Sequence, residues 1–253
     1  MTARLSHIYR HPIKSHGRQP LGWVTLTAGQ TMPWDRHWAV AHATSKFDPA
    51  APQWLACANF SIGSGIPGIM AITAVLDEAS ATVTLTHPDR VPLTIRPDDP
   101  TEALRFLDWV RPLVPADKSP PTRIVRVPGR GMTDTDYPSI SISNLASNAA
   151  VSAHVGTDLS HLRWRSNLWV DGLQPWVERT WPGRSLRIGA AILSIREPMV
   201  RCKATTANPA TGIADFDKLL ALRQMISEQH FGSYAEVTTG GTIRLGDPVE
   251  VLA

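Results

Sequence analysis

Cys202 stands between Arg201 and Lys203, followed by Thr205-Thr206 and the turn-forming run Asn208-Pro209-Ala210-Thr211-Gly212. A thiol flanked by two cations sits in a positive local field. That field enriches the thiolate, the form that attacks electrophiles and binds soft metals. The pattern leaves three roles open: metal ligand, nucleophile or buried structural cysteine. The second cysteine, Cys57, has the apolar neighbours Trp54, Leu55, Ala56 and Ala58 and reads as core. Lys14 and Ser15 follow His11-Pro12-Ile13 and precede His16-Gly17. A cation beside a hydroxyl and free backbone amides on a loop can hold an anion, phosphate in particular. Asp35-Arg36-His37-Trp38 is by default a surface ion pair, with an inward-pointing Arg36 as the alternative. Arg163 and Arg165 alternate with Trp164, which on a strand places both guanidiniums on one face. Two such charges repel unless solvated or shared by an anion.

Several common chemistries are excluded. The chain contains no Gly-x-x-x-x-Gly-Lys phosphate loop, no dinucleotide glycine fingerprint and no Gly-x-Ser-x-Gly elbow. No Cys/His pair has zinc spacing. The formal charge is +3 over 253 residues, too small to argue for nucleic acid. Of 25 Lys+Arg only five are lysine, and arginine's planar fork suits phosphate or carboxylate. Two cysteines make no disulfide scaffold and point to a reducing compartment. The first ten residues are broken by Arg4 and His7, unlike a signal peptide, and no apolar run reaches membrane-spanning length. The expectation is a soluble, cytoplasmic protein that binds neither membrane nor nucleic acid.

The elements that must position these residues are mostly strands. Strands are predicted over 5–9, 23–27, 36–42, 69–76, 82–86 and 91–96, with a turn at Asp77-Glu78-Ala79-Ser80. A helix over 101–110 starts at the cap Asp99 with Pro100 in its first position. The proline-rich stretch 112–121 reads as a linker, which divides the chain at 1–120 and 121–253. Beyond it, strands are predicted from 123–127, 168–170, 184–188, 191–195, 234–238 and 242–252. Helices are predicted from Ser143-Asn144 to about His154 and over 216–225. Many short strands at regular spacing point to barrels rather than a parallel α/β sheet.

These segments, in this order, resemble the MOSC family, most closely members with an N-terminal MOSC β-barrel domain. Mitochondrial amidoxime-reducing and bacterial hydroxylaminopurine-detoxifying proteins belong to that group. Tyr9-Arg10-His11-Pro12-Ile13-Lys14-Ser15 is similar to the family's Y-P-V-K-S, and Asp35-Arg36-His37-Trp38 to D-R-x-W. Trp164-Arg165-Ser166-Asn167-Leu168-Trp169-Val170 resembles F-R-P-N-x-V-V. Residues 201–212 resemble R-C-x-x-T-T-V-D-P-x-T-G, the most specific match. Phe231-Gly232-Ser233-Tyr234 and Gly246-Asp247-Pro248-Val249 are similar to the closing F-G-x-Y and G-D-x-V.

The resemblance implies a mostly β fold with some α: an N-terminal β-barrel-like domain, then a MOSC β-barrel with peripheral helices. It implies a molybdenum cofactor, molybdenum on a phosphorylated pyranopterin. Cys202 would be the metal ligand and catalytic centre. Lys14, Ser15, Arg36, Arg165, Asn167, Arg201 and Tyr234 would contact the cofactor. The reaction implied is two-electron reduction of small N-hydroxylated compounds, amidoximes or hydroxylamino bases, to amines. Two alternatives stand beside it: a sulfur carrier using a Cys202 persulfide, and a non-catalytic pterin-binding module. Two departures matter. No arginine lies between Arg36 and Arg90, where relatives carry T-x-R-Q. No ferredoxin-like cysteine cluster follows, so electrons are expected from a separate ferredoxin-, flavodoxin- or cytochrome-type protein.

Overall fold

A computed structural model describes residues 3–252. The strands of the first half are β1 (Arg4–Arg10), β2 (Gln19–Leu21), β3 (Trp23–Leu26), β4 (Ala39–His42), β5 (Thr73–Asp77), β6 (Thr82–His87) and β7 (Arg90–Ile95). Those of the second half are β8 (Pro121–Val125), β9 (Ile140–Asn144), β10 (Leu168–Asp171), β11 (Ser185–Ile188), β12 (Ala191–Val200), β13 (His230–Thr239), β14 (Gly241–Arg244) and β15 (Val249–Leu252). The helices are α1 (Pro100–Val110), α2 (Leu145–Val155) and α3 (Lys218–Ile226).

Eight strands form one sheet in the order β15-β11-β12-β13-β9-β10-β1-β2. All neighbours run antiparallel except β9 and β10. The ladder stays open, yet the sheet curls until two distant strands touch. Arg4 makes an isolated antiparallel bridge to Pro248. The Leu5 amide donates to Asp247 O at 2.9 Å, and the Val249 amide to Ala3 O at 2.9 Å. Inside this curl lie Leu5, Ile8, Ile142, Leu168, Val170, Leu193 and Ala235, all buried. The mostly β expectation holds, with an incompletely closed sheet where a barrel was expected.

A second layer comes from the first half. β5, β6 and β7 form an antiparallel meander. Their alternating buried residues Ala74, Leu76, Val83, Leu85, Leu93 and Ile95 meet Phe106, Leu107 and Val110 of α1. The Asp99 carboxylate accepts from the amides of Thr101 and Glu102, satisfying orphan donors at the start of α1. At α2, Asn144 accepts from the Ala146 amide and Gly156 closes the helix in the left-handed conformation.

The boundary drawn at 120/121 falls across strand pairings. β1 lies beside β10, β3 pairs with β14, and β8 pairs back onto β4. Two local expectations change. Arg36 has φ +51 and lies in a turn, so the strand predicted from 36 begins at Ala39. Pro67–Ala71 is a 3-10 turn, so the strand predicted from 69 begins at Thr73.

Candidate functional site

One cavity of about 580 Å³ collects residues from distant parts of the chain. Lys14, Ser15, Arg36, Arg165, Arg201, Cys202 and Tyr234 all line it. Its remaining walls come from Trp54, Cys57 and Ile62 to Ser64, from Asp134 to Asp136, and from Glu197 to Val200.

The first wall is knitted by backbone. The Arg36 amide donates to His11 O at 2.6 Å, Lys14 N to Trp38 O at 2.7 Å, and Met132 N to Arg36 O at 2.7 Å. Beneath it the buried Asp35 carboxylate accepts from the His11 amide at 2.8 Å and pairs with the Arg36 guanidinium. Burial alone would raise the Asp35 pKa; Arg36 and the His11 hydrogen bonds overcome this and hold it well below the usual carboxylate range. Burial likewise opposes the Arg36 charge, and Asp35 and Asp134 outweigh it. Arg36 is therefore an inward-pointing, compensated cation, not the surface pair that sequence made the default.

Lys14 is buried, and its Nζ donates to Met132 O at 2.8 Å and to Asp134 Oδ1 at 2.5 Å. Asp134 keeps 45% of its side-chain surface open. Its pKa is lowered, because Lys14 and Arg36 outweigh the effect of burial.

Arg163 and Arg165 do not share a strand face. Residues 161–164 form a 3-10 turn, and Arg165 caps it in the left-handed region at φ +54. Arg163 also lines the cavity, but its guanidinium is taken up by Asp215 in a fork at 2.6 and 2.7 Å. Arg165 turns to the cavity, where Nη2 donates to Gly17 O at 3.0 Å and Nη1 finds no partner. Burial first, then Arg36 and Arg18, pull its pKa down to about 9. Ser15, Arg36 and Arg165 all hold positive φ. Such strain tends to gather at functional sites because surrounding contacts must enforce it.

Cys202 is exposed on the cavity wall and opens the 3-10 turn Lys203–Thr206. Its carbonyl accepts from Thr205 N at 3.2 Å and Thr205 Oγ1 at 3.1 Å. The turn is held from below, where the fully buried Lys218 donates to Thr205 O at 3.0 Å and Arg163 to Thr206 O at 3.1 Å. Arg201 is a clamp as well as a cation. Its guanidinium donates to Phe231 O at 2.8 Å, Trp164 O at 2.8 Å and Ser166 Oγ at 3.1 Å. Burial brings its pKa down to about 10. Tyr234 reaches the cavity from β13, and burial followed by Asp134 raises its phenol pKa, so the hydroxyl stays protonated.

Asn167 is the one expected contact residue that the cavity does not include. It is buried behind the wall, where Oδ1 accepts from Ser141 Oγ at 2.7 Å and Nδ2 donates to Tyr9 O at 3.1 Å. It fixes β9 against β1 and leaves the cavity edge to Ser141.

Cys57 is not core. It is half-buried on the cavity wall, and its thiol donates to Asp134 Oδ1 at 3.2 Å. Burial, reinforced by Asp134, pushes its pKa up to about 11. Trp54 stands on the same wall. Both lie in the long connection from β4 to β5, residues 43–72, which holds only short 3-10 turns. A connection of that length is usually functional, and this length was the signal available in the sequence.

Residues 133–250 match the family model of the MOSC domain, a molybdenum-cofactor-binding domain family. A molybdenum cofactor sulfurase of Caenorhabditis briggsae is 33% identical over 118 residues, covering 44% of this chain and 16% of that protein. The chain therefore spans about one sixth of that relative's length. The YuaD protein of Bacillus subtilis aligns over 99% of this chain and 96% of its own, with 14% identity and a TM-score of 0.48. YiiM of Geobacillus stearothermophilus aligns over 45% of this chain and 54% of its own, with 16% identity and a TM-score of 0.35. Among the described residues no helix is long and apolar enough to cross a membrane.

Proposed function

We propose that this chain, which carries a MOSC domain over residues 133–250, binds a molybdenum cofactor and reduces small N-hydroxylated compounds to amines. One observation supports this most strongly. Lys14, Arg36, Arg165 and Cys202, remote in sequence, line one cavity, and Arg165 Nη1 is left there without a partner. A half-buried guanidinium with one orphaned N–H fits an anionic group, and a bidentate phosphate contact satisfies it well. An exposed thiol on the same wall suits a soft metal. The residues present thus fit a phosphorylated metal cofactor.

In this reading Cys202 is the metal ligand and catalytic centre. Lys14, Ser15, Arg36 and Arg165 hold the phosphorylated end, and Arg201 fixes the wall between β13 and the 161–164 turn. The cofactor, when bound, supplies the two-electron redox chemistry. Reduction breaks the N–O bond, consumes two electrons and two protons, and releases water and an amine. Among the protein's own groups, the Tyr234 hydroxyl and the Cys57 thiol carry protons at the cavity, and Asp134, held by Lys14, keeps an open face to solvent. The electrons come from a separate ferredoxin-, flavodoxin- or cytochrome-type protein, and the setting is cytoplasmic.

Elemental analysis of protein made in a cofactor-competent host tests the reading. Roughly stoichiometric molybdenum is expected in the wild type, with at least about a tenfold loss in Cys202→Ser, the scale of losing a metal ligand. Wild-type protein free of molybdenum would overturn it. A second reading, sulfur transfer through a Cys202 persulfide, draws on the exposure of that thiol and the name of the sulfurase relative. Mass spectrometry after incubation with a cysteine desulfurase and cysteine detects the added sulfur if that reading holds.

A further inference from the structure

The cavity is chemically two-sided. Its cations come from positions 14, 36, 163, 165 and 201. The connection between β4 and β5 supplies Trp54, Cys57, Ile62, Gly63 and Ser64, none of them charged. Cys57 does not change this, because its raised pKa keeps the thiol neutral.

Trp54 is held ready for a flat partner. Its indole Nε1 donates to Thr133 O at 2.9 Å. The Arg130 guanidinium lies 5.6 Å from the ring centroid. Arg130 is itself tied to Asp136 O at 2.8 Å and Thr135 O at 3.1 Å. A ring restrained from two directions loses little freedom when a ligand stacks on it. The groups that join this wall are acidic: Cys57 contacts Asp134, and Asp136 follows. Carboxylates there repel an anionic substituent and accept from N–H donors.

We propose that Trp54 is a stacking face for substrate, the residue by which this chain discriminates planar aromatic from saturated compounds bearing the same reacting group. The assignment rests on the reductase reading above and adds to it the residue that sets selectivity. Aromatic stacking on a fixed side chain is worth about 1–3 kcal/mol by alanine substitution, or roughly five- to more than a hundredfold in affinity.

The test compares benzamidoxime with cyclohexanecarboxamidoxime, which share the reacting group and differ in planarity. Molybdenum-loaded wild type, Trp54→Phe and Trp54→Ala are assayed with a chemical reductant. In Trp54→Ala the KM for benzamidoxime is expected to rise at least about tenfold, with kcat and molybdenum content little changed. The KM for the cyclohexyl compound should change by less than about twofold, and Trp54→Phe should retain most of the discrimination. Equal effects on both compounds, or none on either, overturn the assignment. If wild type turns over neither compound, the reductase reading fails by itself. Calorimetric titration with the neutral amides benzamide and cyclohexanecarboxamide then tests Trp54 alone. Wild type should bind the planar ligand about tenfold more tightly, a preference lost in Trp54→Ala. Equal affinities, or a preference that survives the substitution, overturn the assignment.

Discussion

Lys218 shows how far a single side chain can be from its sequence reading. It appeared as one lysine in a helix, yet it is fully buried under the Cys202 turn, 5.1 Å from the Trp164 ring centroid. Burial first, then Arg163, brings its pKa down to about 6 from 10.5, and Asp215 only partly opposes them. The sign follows from linkage. Between these two values the unfolded chain binds more protons than the native one, so stability rises with pH across the window. Below about pH 6 both states are protonated and the full cost of burying the charge remains. Wild type should therefore gain stability relative to Lys218→Met as pH is raised from about 6.5 to about 9, by up to about 1.4 kcal/mol per pH unit. Urea unfolding at the two pH values measures this. A constant difference would mean that native Lys218 keeps its charge. At this scale the sequence was informative where a residue's role follows from its neighbours in the chain, as with Cys202 and Lys14. It was silent where the role depends on an unseen partner. Cys57 has apolar neighbours in sequence and Asp134 in space. Arg201 flanks Cys202 in sequence, and its guanidinium is held by the carbonyls of Phe231 and Trp164.

Elements with local signals were legible: the alternating β5–β6 hairpin, and α1 with its Asp99 cap. β9 was not, because all five of its residues are buried and a strand covered on both faces shows no alternation. The later part of β12 was hidden by Pro198 and by register shifts at 195–197 and 198–200 against β13. Those shifts carry β12 past the cavity, where Glu197 to Val200 enter its wall. β13 meets a tight spot there. Gly232 has φ +73, and an added Cβ would lie 2.3 Å from Ser143 Oγ and 2.5 Å from Ile142 O. Gly246 has φ +88 with open space around it. Gly246→Ala should cost about 1–2 kcal/mol, the strain of the left-handed region alone. Gly232→Ala should cost at least about 2 kcal/mol more, since overpacking adds to that strain. Thermal unfolding of the two variants separates backbone strain from collision, and equal losses would show that β13 yields freely.

For the whole molecule, residues 1–120 and 121–253 share strand pairings and one cavity. β1 lies between β10 and β2, and Lys14, Ser15, Arg36 and Trp54 complete a cavity whose exposed thiol, Cys202, lies beyond residue 200. A fragment of residues 121–253 should therefore lack cooperative unfolding and molybdenum, and co-expression with residues 1–120 should restore both. Calorimetry and metal analysis check this, and a sharp transition in the fragment alone would refute it. The contact between Arg4 and Pro248 also bears on how the protein is made. Strand β1 leaves the ribosome more than 150 residues ahead of β10, and the Asp247–Val249 seam follows later still. At roughly 5–20 residues per second that is a wait of several seconds to about a minute with one edge of β1 unpaired. The meander β5–β6–β7 with α1 can settle during synthesis. The curled sheet, and with it the assembled cavity, must wait for β15 to emerge, so one edge of β1 stays open and nothing can settle in the cavity until that seam closes.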